Sequence, residues 1–134
     1  MVFVEGKLLV SEKNGTLWLY EDAENRTAIT GVPETWQKGQ GGLLDIEIDP
    51  NYDEEPWLYF SYSKPDPNDS DKGHTAIGRA QLVNNELQQW QDLYFGEETS
   101  DKGFHFGSRI EFDDQQMLYF SIGDRGDRDN NPQD

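Results

Sequence analysis

Three stretches of this chain are near copies of one another: Lys7-Leu8-Leu9-Val10-Ser11, Trp57-Leu58-Tyr59-Phe60-Ser61 and Met117-Leu118-Tyr119-Phe120-Ser121. Their leucines at 8, 58 and 118 are 50 and then 60 residues apart. A short apolar run bounded by turn residues is the trace left by a strand buried on both faces. The two later copies each follow a stretch that alternates apolar with polar residues, 43–49 (LLDIEID) and 109–113 (RIEFD), as a second strand would. Asp49-Pro50-Asn51 and Asp113-Asp114 supply the turns between them,. Further strands are expected at 16–21, reached through the hairpin signal Asn14-Gly15, and at 26–30,. The second copy is followed by 75–83 and 86–95, joined at Asn84-Asn85.

Four short strands in every 50 to 60 residues is the pattern of a β-propeller blade. A sandwich of equal strand count does not call for near-identical second strands. The chain therefore reads as all-β, with blade 1 over 1–30, blade 2 over 43–95 and the first half of blade 3 over 107–122. That is about two and a half four-stranded blades. A ring needs at least four, so the expectation is a partial propeller with open strand edges that self-association would cover.

Hydrophobic residues make up only 34% of the chain, yet four Trp, six Tyr and seven Phe supply bulk enough for a packed core,. No apolar-periodic window of helical length is present. The balance of 27 acidic against 11 basic residues leaves a net charge of −16. A surface of that sign repels phosphate backbones and anionic headgroups, so nucleic acid and membrane are excluded as partners. The absence of cysteine rules out a disulfide frame, a thiol nucleophile and a Cys-based zinc site,. No run reaches transmembrane length, and residues 1–15 lack the basic start and apolar stretch of a signal peptide,.

The repeat allows positions to be compared between blades. Gly39-Gln40-Gly41-Gly42 precedes the inner strand of the second, and Phe104-His105-Phe106-Gly107 that of the third. Gln40 and His105 both stand two residues before a glycine that opens the strand. Loops leading into innermost strands converge on one mouth of the channel, so the two side chains form a candidate site there. Glycine beside each lets a planar ligand approach the backbone. The hairpin that follows returns to Ile122-Gly123-Asp124, which brings Asp124 near His105. A carboxylate there would fix the imidazole tautomer and steady the imidazolium formed on proton uptake. Spacing alone also fits a surface histidine beside an unrelated aspartate. Arg109 is expected to brace its blade, and His74, after a Pro- and Asp-rich loop, to be exposed and inert. The oxygen-rich tail from Asp124 to Asn131 reads as a solvated loop, because it lacks the spacing of a calcium-binding hand. Its Arg125-Gly126-Asp127 is a coincidental match to an adhesion tripeptide.

Four motifs, in this order, resemble the soluble quinoprotein glucose/sorbosone dehydrogenases, a family that includes aldose sugar dehydrogenases. They are Gly39-Gln40-Gly41-Gly42-Leu43-Leu44, Asp49-Pro50-Asn51-Tyr52 leading into Leu58-Tyr59-Phe60-Ser61-Tyr62, His105-Phe106-Gly107-Ser108-Arg109, and Ser121-Ile122-Gly123-Asp124-Arg125-Gly126. They cover the chain but only the N-terminal portion of a family member. The resemblance implies a six-bladed propeller carrying pyrroloquinoline quinone and calcium, and located in the periplasm or secreted. Such an enzyme oxidises the C1 hydroxyl of an aldose to a lactone and passes electrons to an external acceptor. By resemblance His105 matches the catalytic base, Asp124 the acid that orients it, and Gln40 a residue lining the sugar and cofactor pocket. Phe104 departs from the acidic residue that touches sugar in the glucose-oxidising branch, which points to broader aldose use. Calcium ligands and cofactor-clamping cations of the family lie in later blades, so no metal ligand is assigned here and the chain reads as an incomplete fragment, inactive by itself. The rival reading is a non-catalytic propeller serving as a scaffold or receptor-binding module.

A charge of −16 on so small a chain implies self-repulsion that salt should relieve,. The thermal midpoint should rise between dilute buffer and molar sodium chloride. A flat or falling midpoint would contradict this.

Overall fold

The computed structural model describes residues 1–127 and 129. Among the described residues ten strands form three antiparallel sheets. The first contains β1 (Val2–Val4), β2 (Lys7–Ser11), β3 (Leu17–Tyr20) and β4 (Arg26–Ile29). The second contains β5 (Leu43–Ile48), β6 (Leu58–Pro65), β7 (Gly73–Val83) and β8 (Glu86–Ser100), and the third β9 (Gly107–Phe112) and β10 (Leu118–Ile122). In each sheet the spatial order is the chain order, which is the up-and-down connectivity of a propeller blade. The chain is thus all-β, with two four-stranded blades and the first two strands of a third. The tail residues Arg128, Asn130 and Asn131 lie outside the described residues.

The strand β1 is absent from the pattern read in the sequence, because three residues are too few to show alternation. What makes it a strand is the turn at Glu5 and Gly6, whose φ values of 50° and 79° form a tight two-residue hairpin,. Asn84 and Asn85 turn in the same way, with φ of 51° and 63°, between β7 and β8. That last strand continues beyond residue 95 to Ser100, carried through three register shifts against β7.

The repeated apolar run explains how the blades stack. Leu58 and Phe60 point into one cluster with Leu9, Leu17 and Leu19 of the first blade. Tyr59, the residue between them, points into a second cluster with Ile77 of its own blade and Ile110, Phe112 and Phe120 of the third. Alternation along the strand sends neighbours to opposite faces, and each face meets another sheet. Each such side chain, fully buried, contributes about 1.5–3 kcal/mol. Tyr119 holds the position in β10 that Tyr59 holds in β6, and is 59% exposed.

The serines that close the two later copies, Ser61 and Ser121, have a separate task. β5 and β9 both shift register near their start, between Leu43 and Ile46 and opposite Phe120 and Ile122. A bulge of this kind leaves a backbone N–H without a ladder partner. The Asp45 N–H donates instead to Ser61 Oγ at 3.0 Å, and the Arg109 N–H to Ser121 Oγ at 3.2 Å.

The expectation for His74 is overturned. It is 4% exposed, with Nε2 2.7 Å from Asp66 Oδ2 and Nδ1 2.6 Å from the Gly96 carbonyl. Its ring lies 4.0 Å from that of Phe95. β7 begins two residues before the expected start at 75, so His74 enters the sheet and pins the 66–72 loop to β8. Backbone N–H donation from Asn68, reinforced by His74, holds the Asp66 carboxyl below the ordinary carboxylate range,.

A second carboxylate links strands of the same blade. Asp92 accepts hydrogen bonds from the Tyr62 hydroxyl at 2.5 Å, the Trp90 indole at 2.9 Å and Lys64 at 2.5 Å. Burial works against its charge, but the donors, Lys64 foremost, outweigh burial and keep its pKa below the usual value,. A depressed carboxyl pKa stabilises the fold above the unfolded value of about 4 and ceases to do so as pH falls through the folded value. Asp92→Asn should therefore lower the thermal midpoint at pH 7 and flatten its fall between pH 4 and 2. Melts of both proteins across that range provide the check, and parallel curves would remove Asp92 as a source of the acid dependence.

Candidate functional site

The linkers between blades, 30–42 and 101–106, meet on one rim of the molecule. Gly39 and Gly103 have φ of 58° and 74°, a region open mainly to glycine. A Cβ on Gly39 would stand 2.2 Å from the Gly103 carbonyl oxygen, so the loops touch backbone to backbone. The Gln40 N–H donates to that same carbonyl at 2.6 Å. On the other side, Lys13 Nζ donates to the Gly39 carbonyl at 2.5 Å.

This contact brings the two polar side chains of the site together. Gln40 Oε1 accepts the His105 backbone N–H at 2.9 Å. His105 has φ of 60°, uncommon for a residue with a Cβ. Its carbonyl accepts the Arg125 N–H at 3.0 Å, which holds the residue from the other end. A Cβ on Gly123 would come within 2.1 Å of the His105 carbonyl oxygen, so the loop after β10 also passes at backbone distance. Along that loop, Asp124 Oδ1 lies 2.6 Å from His105 Nδ1 and accepts the Gly126 N–H at 2.7 Å. A carboxylate can only accept, so Nδ1 carries the hydrogen and the lone pair of neutral imidazole resides on Nε2. Nε2 makes no hydrogen bond among the described residues. The His105 side chain is 41% exposed and that of Asp124 18%, so the carboxylate lies deeper than the imidazole.

All three residues singled out in the sequence thus form one connected group, Gln40 through the His105 backbone and Asp124 through its ring. The Phe104 ring packs at 5.0 Å against the His105 ring, in space left by the missing side chain of Gly126. Beside Gln40 opens a concavity of about 560 Å³ lined in part by Lys13, Gly39, Asp45, Ser108 and Arg109. Arg109 braces: it donates to Glu111 at 2.8 Å and lies 3.9 Å from Asp45. Asp45 in turn accepts the Ile110 N–H at 3.1 Å and ties β5 to β9. Arg125 is 4% exposed and its carbonyl accepts Ser100 Oγ at 2.9 Å, so the Arg-Gly-Asp tripeptide is not displayed for adhesion. Among the described residues no three acidic, His or Cys side chains gather as metal ligands.

Sequence reasoning missed Lys13, which straps the loop of Gln40 by donating to the Gly39 carbonyl. Lys102, expected near the site as one of its few cations, straps the loop of Asp124 by donating to the Gly126 carbonyl. The glycines at 39, 42, 103 and 126 were the only signal, since each marks a place where another chain segment passes close.

The sequence matches the glucose/sorbosone dehydrogenase family over residues 1–134. The chain belongs to this family. Aldose sugar dehydrogenase YliI of Escherichia coli K12 is 28% identical over 124 residues, covering 90% of this chain and 33% of the relative. A structure of a glucose dehydrogenase superposes with a TM-score of 0.87 at 28% identity, over 95% of this chain and 40% of that one. A PQQ-bound aldose sugar dehydrogenase from Streptomyces coelicolor matches with a TM-score of 0.74 at 27% identity, over 90% of this chain and 36% of that one. This glucose/sorbosone dehydrogenase chain spans about a third of the length of its curated relatives.

Gly123→Ala tests the close approach. Relief of a 2.1 Å contact with the His105 carbonyl requires the loops to part, at about 1–3 kcal/mol. Denaturant unfolding should show that loss, and long-range proton–nitrogen spectra should show the His105 ring no longer locked with hydrogen on Nδ1. An unchanged tautomer pattern would mean the loops can yield without disturbing the pair.

Proposed function

We propose that this chain contributes the proton-accepting side of a quinoprotein sugar dehydrogenase that oxidises the C1 hydroxyl of aldoses to lactones. The observation that carries the reading is the 2.6 Å His105–Asp124 contact on a histidine side chain that is 41% exposed, with no hydrogen bond to Nε2 among the described residues. His105 takes the C1 hydroxyl proton at Nε2 while Asp124 holds the ring and balances the positive charge that results. Gln40 fixes the histidine backbone and borders the concavity, and Phe104 presents an apolar edge to the sugar beside it.

The Gln40 amide and glycine backbone at 39 and 107 could meet one side of a flat, anionic quinone. The cations of the same concavity, Lys13 and Arg109, are however engaged by the Gly39 carbonyl and by Glu111, and the Asp45 carboxylate lines it too. When bound, pyrroloquinoline quinone supplies the acceptor for the C1 hydride, and an external acceptor takes the electrons onward. Support for this cofactor comes from the PQQ-bound relative, and support for the substrate class from the aldose sugar dehydrogenase of Escherichia coli. Calcium, bound by residues outside this chain, and a periplasmic or secreted location complete the proposal. A tricarboxylate needs more cations than these to offset its lost hydration. The isolated chain is therefore expected to give no saturable dye reduction with quinone, calcium and aldose.

In the full-length protein, His105→Gln should lower kcat by about 10²–10⁴, with a smaller change in quinone affinity measured by fluorescence titration. A kcat within a factor of about three, set against that general-base range, would overturn the role of His105. A protein that binds neither quinone nor sugar would favour the scaffold reading.

A further inference from the structure

From the packing around Trp36 we infer that this residue positions His105 and Gln40 relative to each other, an inference that rests on the reaction proposed above. Trp36 lies in the linker between the first two blades, where the sequence shows no strand pattern, yet it is only 6% exposed. Its backbone is held twice by one residue of β6: the Trp36 N–H donates to the Ser63 carbonyl at 2.7 Å, and Ser63 Oγ donates to the Trp36 carbonyl at 2.6 Å. The indole N–H donates to the Ser70 carbonyl at 3.2 Å. A Cβ on Gly73 would stand 2.5 Å from indole Cε3, so the ring lies flush against the start of β7. These contacts make the indole part of the rigid second blade.

The exposed loops rest on that ring. A Cβ on Gly41, the residue after Gln40, would come within 2.7 Å of the Trp36 carbonyl oxygen and 3.1 Å of Cε3. Phe106, the residue after His105, meets the indole edge to face at 5.9 Å and is itself 3% exposed. One side chain therefore touches the immediate neighbour of both site residues. The 2.9 Å bond from the His105 N–H to Gln40 Oε1 depends on the spacing between the two loops, which the Gly39–Gly103 contact closes at the surface and Trp36 supports from beneath. A ring held by the Ser70 carbonyl and the start of β7, on a backbone tied to Ser63, cannot follow the loops if they shift, so it acts as a fixed stop beneath them.

The test uses Trp36→Leu, which vacates the slot, and Trp36→Phe, which keeps an aromatic ring but loses the indole donor. In Trp36→Leu the His105 amide should exchange with solvent at least about tenfold faster and its resonance should move toward its position in Gln40→Ala. Amides of Leu9 and Leu19 in the first blade should not change. Trp36→Phe should restore most of the His105 protection. In the full-length enzyme kcat should fall by about 10–100-fold with little change in KM, as expected of misplaced reacting groups. Uniform loosening of all amides, or a His105 amide unaffected in a folded Trp36→Leu, would overturn the role. Should Trp36→Leu fail to fold, Phe106→Leu withdraws the same contact from the His105 side, and an unmoved His105 amide there would overturn it equally. Altered exchange without any turnover in the unmodified enzyme would sink the sugar-oxidation reading and leave the positioning intact.

Discussion

Burial of a single strand on both faces is the constraint from which the rest of this molecule follows. Leu58 and Phe60 pack toward the first blade and Tyr59 toward the third, so β6 cannot shift its register by one residue without exchanging the contents of two interfaces. That rigidity fixes the angle between blades, and the blade angle decides where the connecting loops emerge. Ser61 and Ser121 cap the bulged starts of β5 and β9, just after the loops that meet at Gly39 and Gly103. The chemistry stands on loops, but strand packing aims them.

At the rim, glycine does what no side chain could. The linkers meet with backbone in contact at Gly39 and Gly103, and again at Gly123 and His105. Three separate loops are thereby drawn close enough for direct hydrogen bonds: Gln40 to the His105 backbone, Arg125 to the His105 carbonyl, Asp124 to the ring. The left-handed backbone of His105 has a cost of order 1–3 kcal/mol, and the bonds at both ends of the residue hold it there. Orientation of the imidazole is thus determined by backbone as much as by Asp124.

Charge is distributed unevenly against the background of −16. Asp92 and Asp66 have donors assembled around them within the second blade. Lys13 and Lys102 are used differently. Each donates to a loop carbonyl beside a site residue, so some of the few cations in this chain secure backbone at the rim.

The repeat in the sequence was enough to determine an all-β propeller, because side-chain alternation and turn chemistry are local properties that the chain displays openly. That Gln40, His105 and Asp124 lie together was legible for related reasons: equivalent loops of successive blades carry Gln40 and His105 to one rim, and the hairpin of β9 and β10 returns Asp124 beside His105. Tertiary structure alone decided what lies beneath them. Trp36 has no periodic neighbours, and its importance comes from Ser63, Ser70, Gly73 and Phe106, up to seventy residues away in the chain. His74 looked inert beside its polar loop, yet a register shift in β7 and partners at Asp66 and Gly96 bury it. A strand of three residues such as β1 carries no readable alternation and exists because its turn and the neighbouring strand β2 hold it. Local periodicity records which face a residue belongs to, whereas contacts between distant segments depend on how whole sheets stack, and no short window of sequence contains that information.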